Sequence, residues 1–428
     1  MLKILRTRDE HAVAEIFRSG WSVSGSEAHV VTDILAAVRA RGDAAVVEYT
    51  RRFDWADATE SAILRMIPNV EEAREGIPTE IADAIDIAVG RVETFHRSQR
   101  PTTVASTDPD GTHYEFRFEP LDAVAVYVPG GSAPLPSTVI MGCIPARVAG
   151  VRRIDLLTPP QADGSIHPAI LYAAARCGAH GLYAAGGAQA IAAAAYGTSR
   201  LQRVDGIVGP GNVWVTEAKR QVYGTCAIDG LAGPSEVLVV ADSSARVDFI
   251  VGELLAQAEH DPRARVAVVS ESADILEKCI NDLQTRDIAG LPRGRIIADV
   301  LAAGCFFLHA QDRADIIDVI ARFAPEHLSL MVADPQAYLP LIRHAGAIFV
   351  GNNTPVACGD YLAGTNHTLP TSGSARFSSG LSVLTFLRST TVVQNSAERM
   401  RRDAPHIEAF ARFEGLAEHA NAARLRLS

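Results

Sequence analysis

Four short stretches, far apart in a chain of 428 residues, combine side chains able to bind a metal or move a proton. The first covers residues 360–371 and, with the glycine before it, reads GDYLAGTNHTLPT. It sets Asp360, Asn366 and His367 among helix breakers, so it reads as a polar loop, a common seat of binding and chemistry on a rigid scaffold. A carboxylate and an imidazole this close suit a metal or an acid–base site; a solvated turn would contain the same residues. The other three are LLAQAEHD (254–261), APEHL (324–328) and EGLAEH (414–419), each with a His beside Glu or Gln. Gln257 and His260 stand three apart at a helix end, so they project side by side. Their amide oxygen and imidazole could ligate a divalent ion, while the helix dipole alone would also favour a His there. Glu326 and His327 open a strand just after Pro325 and could act as a base and its partner, or form a surface pair. Cys358 reads as a small, half-buried residue rather than a nucleophile.

The elements that must position these groups begin at Ala123. AVAVYV (123–128), IDLLT (154–158), GLYAA (181–185) and VDGIV (204–208) are short apolar runs of the kind buried in a parallel sheet. Helical patterns follow them over 138–149, 167–177, 188–196 and 214–223. Strand, turn and helix repeated in this way imply a parallel α/β architecture. Three of the turns are glycine-rich: PGG (129–131), GG (186–187) and GPGN (209–212). Glycine lets a backbone approach a phosphate, and the next helix offers unpaired N–H groups; tight turns without a ligand would look the same. The ordinary dinucleotide fingerprint GxGxxG is absent.

EVLVVA (236–241), RVAVVS (265–270), CFFLHA (305–310), LSLMVA (328–333) and AIFVG (347–351) continue the strand series as a second α/β unit. Asp242 or Ser243 is expected to cap the helix that ends at Gln257 and His260. Residues 1–120 read as mostly helical, with apolar periods over 30–38 and 78–96, the second through Ile81, Ile85, Ala88, Val92 and Phe95. VLTFL (383–387) reads as a short strand, and 404–427 as an amphipathic helix or pair carrying Glu414, Glu418 and His419.

Composition narrows the function classes. The chain is 48% hydrophobic and 21% charged, with a formal net charge of -10 and no basic run. Nucleic acid and anionic membrane both call for clustered Lys and Arg, so neither is expected as a partner. There is no apolar run long enough to span a bilayer and no apolar segment of a secretory signal at the start. Six scattered cysteines without a CxxC suit reduced thiols in a cytoplasm.

Read in order, VYVPGGSAPLPSTVIMGCIPARVAGV, GGAQAIAAAAYGT, VGPGNVWVTEAKR, AGPSEVLVVAD, LLAQAEHD, APEHLSL, GDYLAGTNHTLPTSGSARFSSGLSV and EGLAEHANAARLRL resemble the histidinol dehydrogenase family from about residue 90 to the end. The resemblance implies an α/β fold of two Rossmann-like parallel-sheet units, one inserted in the other, plus small helical N- and C-terminal segments. The boundaries expected are 1–122, 123–235 (NAD-binding), 236–375 (zinc and catalysis) and 376–428. It implies oxidation of L-histidinol to L-histidine by way of the aldehyde, with NAD and one Zn²⁺ per subunit, in a cytoplasmic homodimer whose C-terminal segment completes the partner's site. By the same resemblance Gln257, His260, Asp360 and the partner subunit's His419 hold zinc, and Glu326 and His327 are the acid–base pair. Ser235, His367 and Glu414 join the metal ligands and His327 as substrate contacts, and Tyr127, Gln189 and Asn212 are the NAD contacts. Three positions depart from the family's pattern. Val356 stands where many members have Glu, which would remove an anionic contact near the substrate's charged end. Leu135 stands where an aromatic is usual, and Gly230 where Met is common. These leave room for a paralogous dehydrogenase acting on another polar alcohol, such as a sulfonated diol. A zinc hydrolase or a non-catalytic zinc-binding paralogue is a further alternative.

Overall fold

Apolar stretches short enough to be buried on both faces recur along the chain and become strands. The structure, a computed structural model, describes residues 2–14, 16–17, 25–130 and 133–427. In chain order the strands are β1 (Ile4–Arg6), β2 (Leu64–Arg65), β3 (Val104–Thr107), β4 (His113–Pro120), β5 (Ala123–Tyr127), β6 (Arg153–Leu157), β7 (Gly181–Tyr183), β8 (Gly206–Val208), β9 (Ala227–Ile228), β10 (Glu236–Ala241), β11 (Arg265–Ser270), β12 (Cys305–His309), β13 (His327–Met331), β14 (Ala347–Val350) and β15 (Leu387–Gln394).

They form two six-stranded sheets and one of three strands. The first large sheet has the order β2-β7-β6-β5-β8-β9 and is parallel except for β2, which pairs antiparallel with β7. The second, β1-β12-β11-β10-β13-β14, is parallel throughout. In each, the earliest strand of the repeating series, β5 or β10, lies centrally and the order runs outward both ways from it. Such a reversal leaves a crevice at the strand ends. Successive residues of a strand face opposite sides: Val124 and Val126 enter one core while Ala125 and Tyr127 enter another. Val237 and Val239 likewise separate from Leu238 and Val240. Four apolar cores therefore cover four sheet faces, which holds the strand ends rigidly.

The first 120 residues are less helical than their pattern suggests. β1 lies beside β12 as an edge strand of the second sheet, with Ile4 opposite Phe307. HYEFRFEP (113–120) pairs along its whole length with β15, from Leu387 opposite Pro120 to Gln394 opposite His113. HYEFRFEP alternates polar and apolar residues while LRSTTVVQ (387–394) does not, and the two distant segments become strands by pairing with each other. Val383–Phe386 is a 3-10 turn, and the strand starts where that stretch ends. In the helix Thr79–Arg97, Ile81 and Phe95 are exposed and His96 is buried. The expected cap at Asp242 or Ser243 is not one: Arg246 precedes the helix Val247–Ala258, and Asp242 accepts from Ser244 N and Ala333 N in a separate turn. At the C-terminus two helices follow, Ala397–Phe413 and Ala417–Arg424.

Candidate active site

Two regions bring the sequence candidates together. The first is a cleft of about 910 Å³ at the carboxyl ends of β5, β6 and β7, lined in part by Tyr127, Gln189 and Asn212. The turns that shape it are held by their own side chains. Gly186 N donates to Asp54 Oδ2 and Gly187 N to Tyr127 Oη, both at 3.1 Å. Gly187 has φ +58, and a Cβ there would come within 2.8 Å of Gln189 Oε1, so glycine is required. In the GPGN turn, Gly209 N donates to Asp229 while Lys219 Nζ donates to Gly209 O and pairs with Asp229. A Cβ on Gly209 would lie 2.2 Å from the Tyr127 carbonyl oxygen. Asn212 Oδ1 caps its own helix through Trp214 N and Val215 N. Two of the three glycine turns have thus committed N–H groups that the sequence left open for a phosphate. In the third turn, Gly131 lies outside the described residues.

Sequence reading passed over Asp54 in this cleft. Its Oδ2 also accepts from Gln189 Nε2 at 3.1 Å. Burial pushes its carboxyl up, against the two hydrogen bonds that lower it. The signal available in the sequence was an acidic residue just after the helix Asp43–Phe53, in a segment with no other mark of chemistry.

The second region is at the amino edge of the other sheet, where β10 and β13 begin. Glu326 precedes β13, and His327 is its first residue; both are buried. Glu236, the first residue of β10, holds them both. Its N–H donates to Glu326 Oε2 at 2.8 Å, and its carbonyl accepts from His327 Nδ1 at 3.0 Å. Glu326 Oε2 lies farther from that nitrogen, at 3.5 Å. A carbonyl can only accept, so His327 carries its proton on Nδ1 and keeps Nε2 as the basic nitrogen. Burial pushes Glu326 well above the usual carboxylate range, helped by the charges of Glu236 and Asp360. Burial pushes His327 down, so it is neutral, although Asp360 pulls the other way. A neutral imidazole beside a carboxyl that readily keeps a proton is an arrangement able to accept and donate protons near neutrality.

Glu236 is the second residue the sequence reading missed. Its carboxylate pairs with Arg265 Nη1 at 3.2 Å and accepts from Ser372 N at 3.1 Å. It was hidden at the head of an apolar run that reads only as a strand. Ser235 is the residue before it, and its carbonyl accepts from Arg265 N.

Asp360 lies in the last turn of the helix Val356–Tyr361 rather than in the loop its sequence suggests, and the loop at 362–371 follows it over this edge. His367 Nδ1 donates to the Asp360 carbonyl at 3.1 Å, and burial lowers its pKa. The charges of Asp360 and His260 act on both His327 and His367, which places the four groups in one neighbourhood. Gln257 is buried at the end of its helix, and His260 N donates to its carbonyl at 3.3 Å. Asn366 has a structural part. Its Nδ2 donates to the Met141 carbonyl at 2.8 Å, and its Oδ1 accepts from Thr368 N at 2.9 Å. Met141 needs that donor because the residue four positions on, Pro145, has no N–H to complete the helix. The loop is thereby pinned to a helix of the first unit.

Glu414 and His419 are not brought into this neighbourhood. Both are exposed on the C-terminal helices, in a groove lined only by residues 399–419. Exposed Phe410 and Phe413 lie beside them. No three His, Cys, Asp or Glu side chains among the described residues are grouped to hold a metal. The donor types at 257, 260 and 360 do fit zinc, being an amide oxygen, an imidazole and a carboxylate. Val356 faces inward: it is buried in the same apolar core as Phe349, and its N–H donates to the buried Glu253 carboxylate at 3.1 Å. Leu135 is exposed next to the first cleft's turn, and Gly230 lines a space of about 480 Å³ between Gly209 and the 368–381 loop.

A family model described as histidinol dehydrogenase matches residues 21–427. A histidinol dehydrogenase of Synechococcus sp. is 45% identical over 397 residues, covering 92% of this chain and 91% of its own length. That of Rhizobium meliloti is 43% identical over 430 residues, covering 100% and 98%. The crystal structure of histidinol dehydrogenase from Elizabethkingia anophelis matches with a TM-score of 0.93 at 34% identity, covering 100% of this chain and 98% of that one.

Proposed function

This chain belongs to the histidinol dehydrogenase family, and on that premise we propose that it oxidises L-histidinol to L-histidine through L-histidinal, using NAD and zinc. The four-electron oxidation removes two hydrides and two protons and adds one water oxygen, and NAD accepts the hydrides. His327 Nε2 takes the alcohol proton as the first hydride leaves. Glu326 then draws a proton from the water that adds to the aldehyde, giving the hydrate from which the second hydride departs. Glu236 supports both steps by fixing the tautomer of His327 and one oxygen of Glu326. Ser235, His367 and the partner subunit's Glu414 position the amino alcohol.

Gln257, His260, Asp360 and the partner subunit's His419 are the proposed zinc ligands. Bound zinc would hold the substrate's nitrogen and oxygen and so fix its orientation. Exposed Glu414 and His419, flanked by Phe410 and Phe413, favour a homodimer in which the C-terminal helices complete the neighbouring site. Tyr127, Gln189 and Asn212 would contact NAD in the cleft of a Rossmann-like first unit. The reading places the enzyme in histidine biosynthesis in the cytoplasm.

The observation that carries it is the buried Glu326–His327 pair at the start of β13, held by one residue of β10, in a chain matched to the family over nearly its full length. The inward-facing Val356 weighs against the sulfonated-diol alternative, because that side chain adjoins the core. Counting NADH formed per L-histidinol, with chelation and zinc add-back, tests the proposal. Two NADH per substrate, lost on chelation and restored by zinc, is the expected result. A protein that binds zinc and NAD⁺ but does not turn over L-histidinol would refute it.

A further inference from the structure

The dinucleotide cleft has a direction. Its β8 side leads to the catalytic loop: Gly209 follows β8 and lines, with Thr371 and Ser372, the space between the two units, and Gly233 N donates to Thr371 Oγ1. Its opposite side, over the ends of β6 and β7, is farthest across the sheet from that loop. A dinucleotide whose nicotinamide reaches the loop must set its adenosine half over β6 and β7.

In dinucleotide folds, an acidic side chain commonly meets the adenosine ribose near the end of the second strand. Here that strand is β6, and its end reads Thr158-Pro159-Pro160-Gln161, without an acid. Asp54 comes to this place from outside the sheet, after the helix Asp43–Phe53. Its Oδ1 lies 3.2 Å from the point where a Cβ on Gly186 would be, and Pro159 Cβ lies 2.8 Å from the same point. Oδ2 is committed to Gly186 N and Gln189 Nε2, which fixes the carboxylate. Oδ1 has no donor among the described residues, and Asp54 lines the cleft. An ionised carboxylate only accepts, so it favours a hydroxyl and repels a phosphate. Among the described residues that line the cleft, the one other Asp, Glu, Lys or Arg is Arg52, exposed and stacked on Phe53 at 5.2 Å, and the imidazole of His167 lines it too.

We propose that Asp54 accepts a hydrogen bond from the adenosine ribose of the bound dinucleotide and makes the cleft discriminate against a 2′-phosphorylated one. This rests on the reading of the cleft as the NAD site. The test is calorimetric titration of NAD⁺ and NADP⁺ into the zinc-loaded wild-type protein and into Asp54→Asn and Asp54→Glu. Wild type should bind NAD⁺ at least about tenfold more tightly, the worth of one charge-assisted hydrogen bond. Asp54→Asn keeps an oxygen for Gly186 N but turns a donor toward the ribose. It should weaken NAD⁺ about tenfold and bring the two affinities within about threefold of each other. Asp54→Glu retains the charge and should keep the discrimination at lower affinity, which guards against misfolding of the first variant. An unchanged ratio in Asp54→Asn overturns the proposal, as does equal binding of the two by wild type, which would give Arg52 the 2′-phosphate. Failure of wild type to bind either dinucleotide overturns the NAD reading of the cleft and this role with it.

Discussion

Asn366 offers a test of how the loop at 362–371 is held. Asn366→Ala removes the donor to Met141 O and the acceptor for Thr368 N, both at a residue that is 7% exposed. A buried polar group left without a partner costs about 1–3 kcal/mol, so a loss of about 2–3 kcal/mol is expected for the two groups together. Pro145 is the reason Met141 depends on Asn366. Pro145→Ala restores an N–H four residues after Met141, and in that background Asn366→Ala should cost about 1 kcal/mol less. Urea unfolding of the wild type, both single variants and the double variant gives the coupling. Activity should behave differently. The loop carries His367, whose Nδ1 donates to the carbonyl of Asp360 in the helix before it, and a misplacement of about 1 Å can cost about a hundredfold in rate. Pro145→Ala satisfies the carbonyl without re-pinning the loop, so the double variant should remain as slow as Asn366→Ala. Zero coupling in stability, or full recovery of activity in the double variant, would refute the reasoning.

Glu326→Gln should abolish most turnover yet stabilise the protein, increasingly so at higher pH. Burial raises the folded pKa of Glu326, so its stabilising contribution is complete below about 4.5 and is lost as pH rises toward the folded value. The melting-temperature gain over wild type should therefore be larger at pH 8 than at pH 5, and a constant gain would count against it. Burial lowers His327, His367 and His96. The stability they contribute is present above about 6.5 and is lost as pH falls; a urea midpoint that rises between pH 6.5 and 5.5 in the Glu326→Gln protein would contradict this. His327→Asn keeps an N–H near the Glu236 carbonyl but has no base, so kcat should fall about 10²–10⁴-fold with the fold intact. A fall under tenfold in steady-state assays would remove His327 from proton transfer. Mixing His419→Asn with Glu326→Gln subunits should restore partial activity if the C-terminal helices complete a neighbour's site. No recovery, with subunit exchange verified, would exclude a shared site.

Much of this was legible in the sequence, because local patterns carry it. Apolar runs followed by helical periods were enough for nine of the twelve strands of the two six-stranded sheets, all but β1, β2 and β9, since a strand buried on both faces has no polar alternation to hide it. Glu326, His327, Gln257 and His260 stood out as residues of unusual chemistry beside helix and strand ends. What depends on partners distant in the chain was not legible. The strand at 113–120 exists because 387–394 pairs with it, and β1 because β12 lies open beside it. The glycine turns marked a cleft, but only the packed structure shows Asp54, Tyr127 and Asp229 occupying their N–H groups. Asn366 read as chemistry and is an anchor, because its partner is a carbonyl that Pro145 leaves free more than two hundred residues earlier. Glu236 read as the head of a strand, yet it sets the tautomer of His327. Composition and period fix which segments are buried; which buried polar group meets which is decided by the tertiary fold, because each must find its partner wherever the chain brings one.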